Sequence, residues 1–202
     1  MQPESETTFR ENKLNLDDLI PLRASLDGLL SQGKPIVLAI DGRAASGKTS
    51  LAETLTKDYQ SRVVHTDDFF LPQELRTDER LSKPGGNLHY ERFVAAVLPG
   101  LRQKKGFSYQ AFDCGFMQLG AWRSLAPAQL TIVEGSYALH PIFGAYYDIS
   151  IFMTCPPKLQ LARIKSRNPN RLEQFRKHWI PMEEAYFLAY RIEQTADLKI
   201  QT

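Results

Sequence analysis

The sequence predicts an α/β sandwich with a mostly parallel sheet, and three observations carry that reading. Short apolar runs rich in β-branched residues recur along the chain, each reading as a strand buried on both faces, as the strands of parallel sheets are. Stretches at helical spacing separate them, which is the alternation that right-handed strand–helix–strand crossovers produce. A glycine-bounded loop lies between the first run and the helical stretch after it.

Residues 1–13 read as a flexible polar tail and residues 14–202 as one domain. Leu16, Leu19, Ile20, Leu26, Leu29 and Leu30 recur at helical spacing, with Pro21 marking either a bend or the true first turn and Gly33 closing the helix. Strands follow at Pro35 to Ile40, Arg62 to His65, Leu130 to Val133 and Ile149 to Met153. Helices between them cover Ser50 to Tyr59, Tyr90 to Leu98 and Pro157 to Lys165. The interval 69–127 has turn chemistry at Lys83-Pro84-Gly85-Gly86 and one further strand at Phe107 to Phe112, and reads as a substrate-side insertion. A helix over Trp179 to Tyr190 and a strand at Leu198 to Ile200 complete the domain.

Composition narrows the function. With 43% hydrophobic and 24% charged residues in 202, this is an ordinary globular domain. A formal net charge of +2 is too balanced for an electrostatic footprint on nucleic acid or an anionic membrane, so neither is expected as a partner. Cys114 and Cys155 have no metal-ligand spacing and indicate neither a disulfide framework nor a zinc site, which fits a reducing cytoplasm. The first residues are polar and acidic where a signal peptide is basic and then apolar, and no apolar run approaches the ~20 residues that span a bilayer. Self-association into a homo-oligomer is left open.

Residues 42–49 satisfy G-x-x-x-x-G-K-[ST] in the context the motif needs, a buried strand before and a helix after. Backbone N–H groups of Gly42, Arg43, Ala44, Ala45, Ser46 and Gly47, with the opening of the helix at Lys48, Thr49 and Ser50, are expected to cradle phosphates. Lys48 supplies a point charge to the β- and γ-phosphates and Thr49 a hydroxyl for Mg²⁺. The loop alone means nucleoside triphosphate binding; other residues choose the chemistry.

The second strand ends in His65-Thr66-Asp67-Asp68, which puts two carboxylates at the sheet edge where open α/β folds bind ligands. Asp67 is the expected base for an alcohol proton, with Asp68 on the substrate side. Glu134, ending the third strand, is the second expected Mg²⁺ residue beside Thr49. Arg163, Arg167 and Arg171 recur every four residues, which predicts one helix face and a lid over the phosphates.

Taken together, GRAASGKT, DDFF, EGSYAL, PMEEAYF and ADLKI make the chain, from about Pro35 to Ile200, resemble the uridine kinase and phosphoribulokinase family of P-loop metabolite kinases, in its bacterial uridine kinase-like branch. The resemblance implies a three-layer P-loop NTPase of the nucleoside kinase-like kind, with an arginine-bearing lid at 163–176 and with ATP and Mg²⁺ in use. By position it makes Asp67 the base, Lys48 and Thr49 the phosphate and Mg²⁺ residues, and Arg163 and Arg167 the lid arginines. Tyr109, Phe112, Asp113 and Arg171 become acceptor-side residues, and the 5′-hydroxyl of uridine or cytidine the leading acceptor. Pantothenate, nicotinamide riboside or glycerate is the alternative acceptor, and a non-catalytic nucleotide-binding regulator the alternative class. The chain departs from the family at Lys83 to Asn87, where typical members carry an acidic Asp-His-Pro stretch for ribose hydroxyls. It departs again at Phe112 to Gln118, which replaces Tyr-Asp-Phe followed by His and Arg.

Overall fold

The computed structural model describes residues 16–103 and 105–202, so the tail expected at 1–13 lies outside the described residues. Helix α1 (Leu16–Leu30) leads into β1 (Ile36–Gly42), the phosphate-type loop, α2 (Lys48–Tyr59) and β2 (Arg62–His65). The insertion carries α3 (Asp78–Leu81), α4 (Tyr90–Ala96), α5 (Leu98–Leu101) and strands β3 (Phe107–Asp113) and β4 (Gln118–Leu125). The chain then returns through β5 (Leu130–Glu134), β6 (Ile149–Thr154), α6 (Pro157–Arg167), α7 (Leu172–Gln174), α8 (Ile180–Tyr190), α9 (Ile192–Thr195) and β7 (Leu198–Gln201).

Among the described residues, five strands form one sheet in the order β2-β5-β1-β6-β7, and every pairing in it is parallel. All seven residues of β1 are buried, which is why that strand reads as an unbroken apolar run. Its side chains alternate between two cores. Ile36, Leu38 and Ile40 pack with Leu19, Leu22 and Leu26 of α1 and with Leu51 and Leu55 of α2. Val37 and Ala39 face the other way, toward Phe93 of α4 and Tyr186 and Phe187 of α8. Helices on both faces of one sheet give three layers, and each fully buried Leu, Ile or Phe contributes about 1.5–3 kcal/mol to holding them together. Among the described residues no helix is long and apolar enough to cross a membrane.

Register positions the site. Ile40 of β1 is the lateral partner of Glu134 in β5, and Glu134 is the partner of His65 in β2. Parallel strands end together, so one row across three strands brings the loop after β1, the acid ending β5 and the turn after β2 to one edge.

Two expectations are corrected and one is extended. Pro21 does not mark the first turn: it lies inside α1, where a proline removes one hydrogen bond to the carbonyl four residues before it. The strand expected at 107–112 is present as β3, and the structure adds an unexpected antiparallel partner, β4, with an irregularity between Gln110 and Phe112. Its second arm escapes pattern reading because Leu119 and Trp122 stay exposed, leaving no buried alternation. Arg163 and Arg167 share helix α6, but Arg171 does not continue the face. Helix α6 stops at Arg167, Asn168 takes an extended φ of −140°, and Arg171 sits on a separate 3₁₀ turn, Pro169–Arg171.

Candidate active site

The loop between β1 and α2 is bent by three left-handed residues, Gly42 (φ 136°), Ala45 (φ 59°) and Gly47 (φ 96°). At Gly42 a side chain is excluded, since a Cβ would lie 2.0 Å from the Met153 carbonyl oxygen of the neighbouring strand. The Arg43 N–H donates to that same oxygen at 3.0 Å and pins the loop to β6. Gly47 then caps α2, so loop amides and the positive helix end face one space. Lys48 Nζ reaches back over the loop and donates to the carbonyls of Gly42 (2.7 Å) and Arg43 (3.0 Å).

Carboxylates that the motif does not contain hold the loop from behind. The buried Asp41 accepts four hydrogen bonds, from the N–H groups of Gly42, Tyr137 and Leu139 and from the Tyr186 hydroxyl. Burial pushes its pKa up and these donors oppose the shift. Glu183, buried on α8, accepts from the Ala44 N–H (3.0 Å) and the Ser136 hydroxyl (2.7 Å), and burial pushes its pKa up as well. The Arg43 side chain turns away from the loop's concave side and pairs with Glu184 and Glu193 while lying over Phe152 and Phe187. Arg43 therefore belongs to the phosphate loop by its backbone and anchors α8 by its side chain. The only sequence signal for Glu183 is an acid beside Pro181 in the first turn of a helix, which is common on exposed helices too.

At the next two strand ends, Asp67 lies on the 3₁₀ turn Thr66–Phe69 and Glu134 closes β5. Asp67 is open to solvent but walled by protein on most sides; that surrounding raises its pKa, Lys48 opposes the rise and Glu134 adds to it. Gly135 lets the two strand ends approach. Its φ is 132°, and a Cβ there would sit 2.2 Å from Thr66 Oγ1 and 3.3 Å from Asp67 Oδ1. Glu134 is buried, lies 3.3 and 3.4 Å from the Thr49 hydroxyl, and receives His65 Nδ1 at 2.6 Å. This hydrogen bond raises the His65 pKa. The Thr49 hydroxyl and the Glu134 carboxylate are oxygen donors of the kind a hard cation such as Mg²⁺ takes, and the Asp67 carboxylate lines the same cleft.

These groups line a cleft of about 610 Å³ together with Ala44, Ala45, Phe70, Arg76, Asn87, Cys114, Tyr137, Arg167, Arg171 and Glu183. Its far wall is a one-turn π-helix, Phe175–Trp179, running directly into α8. Phe175 and Trp179 meet there edge to face with centroids 4.5 Å apart, and both line the cleft with His178.

Several expected residues lie outside the lining. Ser50 is exposed on α2, and its carbonyl accepts from the Thr54 hydroxyl. Arg163 donates to the Ala45 carbonyl and the Thr202 hydroxyl, so it braces the loop from α6. Asp68 turns toward the hairpin, where it pairs with Arg123 at 2.7 Å and accepts from Tyr109 at 2.8 Å. Tyr109 and Phe112 are buried, and Asp113 caps the hairpin turn by accepting from the N–H groups of Gly115 and Phe116. Arg76 and Asn87, which do line the cleft, had no motif to announce them.

No protein-family model matches the chain. Among solved structures it is similar to one described as a possible uridine kinase from Bacillus stearothermophilus, with 18% identity and a TM-score of 0.63 over 90% of this chain and 100% of that one. A structure described as a candidate fructose transport system kinase from Silicibacter sp. matches with 21% identity and a TM-score of 0.67 over 88% and 98%. D-glycerate 3-kinase from Cryptococcus neoformans matches with 14% identity and a TM-score of 0.59 over 82% and 88%. Identities this low speak to architecture, and with the loop, the strand order and the three layers they establish that the chain has the P-loop kinase fold.

Proposed function

We propose that this protein is an ATP-dependent kinase that transfers the γ-phosphoryl group to a hydroxyl of a small molecule. The observation that carries the reading is the convergence of Lys48, the Thr49–Glu134 pair and Asp67 at the edge of one cleft. Loop amides and Lys48 bind and orient the phosphates. Asp67 takes the proton of the acceptor hydroxyl as its oxygen attacks the γ-phosphorus; the bond to the β-phosphate oxygen breaks, and ADP leaves with that electron pair. Thr49 and Glu134 would hold Mg²⁺, and the ion would supply charge neutralisation to the phosphates. Arg167 and Arg171, exposed residues that line the same cleft, would neutralise charge as the phosphoryl group transfers.

The nucleoside acceptor expected from the resemblance draws no support from Tyr109, Phe112 and Asp113, whose side chains are committed elsewhere. The reading therefore keeps the acceptor at the level of a hydroxyl-bearing metabolite. Lys48→Ala tests it. Turnover should fall to background while the melting temperature holds, because the ammonium serves transition-state charge and its partners are two loop carbonyls. Near-normal turnover in a folded variant contradicts the proposal. ATP binding by the unaltered protein without transfer to any alcohol returns the non-catalytic nucleotide-binding reading.

A further inference from the structure

Side chains from outside the phosphate-type loop hold three consecutive carbonyls of it. Gln160 Nε2 donates to the Ala44 oxygen at 3.1 Å, Arg163 Nη1 to the Ala45 oxygen at 3.1 Å, and the Thr202 hydroxyl to the Ser46 oxygen at 3.0 Å. Gln160 is buried one turn before Arg163 on α6, and Thr202 directly follows β7. Arg163 also donates to the Thr202 hydroxyl at 2.8 Å, and the Thr202 N–H donates to the Thr154 carbonyl at 3.0 Å. The two elements are thereby tied to each other and to the end of β6.

The loop's remaining hydrogen bonds show what this brace controls. In a trans peptide the C=O of one residue and the N–H of the next point in opposite directions, and no described peptide bond is cis. Holding the carbonyls of Ala44 and Ser46 on one side therefore turns the N–H groups of Ala45 and Gly47 to the other, and Ala45 and Gly47 line the cleft. Among the described residues those two amides have no hydrogen-bond partner. The other loop amides are spent, Gly42 on Asp41, Arg43 on Met153, Ala44 on Glu183 and Ser46 on Arg43. Ala45 is also held at φ 59°, a left-handed conformation that a residue with a side chain keeps only where its surroundings over-determine it. The bonds to the Ala44 and Ala45 carbonyls do so, since they fix the peptide on each side of it.

Resting on the kinase reading of the same loop, we infer that Gln160, Arg163 and Thr202 are positioning residues for the nucleotide: they set the direction of the Ala45 and Gly47 amides in advance, so that phosphate oxygens meet donors already aimed at them. None of the three lines the cleft, and they act through the backbone they hold. Arg163 thus works from behind the loop and not as a lid cation. Arg167, four residues further along α6, does line the cleft, so one helix both fixes the loop and carries an arginine to the same space.

Titration calorimetry with ATP, and with tripolyphosphate as phosphates that carry no base, tests this on the full chain. Thr202→Val keeps the side-chain volume and removes the donor to Ser46, and Gln160→Met does the same at Ala44. Each should weaken both ligands by about 2–10-fold, the size of one hydrogen bond, and the two together by about tenfold or more. Thr202→Ser, which returns the hydroxyl, should restore both affinities to within about twofold. The ligand-free melting temperature of each variant should fall by no more than about 4 °C. Unchanged affinities in Thr202→Val and Gln160→Met, a loss confined to ATP, a Thr202→Ser variant as weak as Thr202→Val, or binding of ATP but not of tripolyphosphate by the unaltered protein overturns the positioning role and spares the kinase reading. The Thr202 pair decides if Gln160→Met does not fold. An unaltered protein that binds neither ligand fells the kinase reading itself, and this inference with it.

Discussion

His65 carries a consequence that its place at the end of a strand did not announce. Its ring nitrogen bonds Glu134 at 2.6 Å, and this partner lifts its pKa above the ordinary value near 6.5. A histidine whose pKa is raised on folding contributes stability fully present below its unfolded pKa and lost as pH rises through the folded one. The melting temperature should therefore decline as pH rises from the ordinary histidine value near 6.5 through the raised one, and His65→Gln should lack that component. Equal pH slopes in the two proteins would contradict the pairing. At this scale the sequence was legible wherever chain geometry leaves no freedom. Lys48 and Thr49 follow a glycine that caps a helix, Glu134 ends a strand in register with β1, and Asp67 sits on the turn that directly follows β2. It was illegible where a choice of direction decides. Asp67 and Asp68 are adjacent acids on one 3₁₀ turn, whose ~120° per residue sends the first toward the cleft and the second toward Arg123.

Elements were legible by their buried faces. β1, β5 and β6 are buried from end to end and announce themselves as apolar runs, whereas β4 exposes residues on both sides and the π-turn at Phe175–Trp179 has no periodicity of its own. The same logic explains why Asp113 was misplaced: its fixed partners are two amides of a hairpin turn whose second arm the pattern did not reveal. Joints between elements fall to glycines, and Gly135 is the one that joins β5 to the loop facing the Asp67 turn. Gly135→Ala forces a side chain onto φ 132° and onto Thr66 Oγ1. Backbone strain alone costs about 1–3 kcal/mol, roughly 2–4 °C of melting temperature per kcal/mol in a domain of this size. Turnover should fall further than stability, because the turn bearing Asp67 is what gives way. Equal melting temperature and turnover in the variant and the parent would show that the close approach of β2 and β5 is unimportant.

Across the whole molecule, the parallel sheet delivers the loop, Glu134 and the Asp67 turn to one edge, while α8 reaches over that edge to hold the loop through Glu183 and Glu184. The three-layer arrangement was legible as alternating runs. The grip of α8 was not, because it depends on long-range pairs between residues about 140 positions apart, such as Arg43 with Glu184. What the assembly is proposed to do at that edge is remove a proton from an alcohol with Asp67. A single-turnover measurement on Asp67→Asn, with ATP and whichever alcohol supports turnover, tests this most directly. The chemical step should be slower by roughly 10²–10⁴-fold, with ATP affinity little changed. A single-turnover rate within about threefold of the unaltered protein would contradict it.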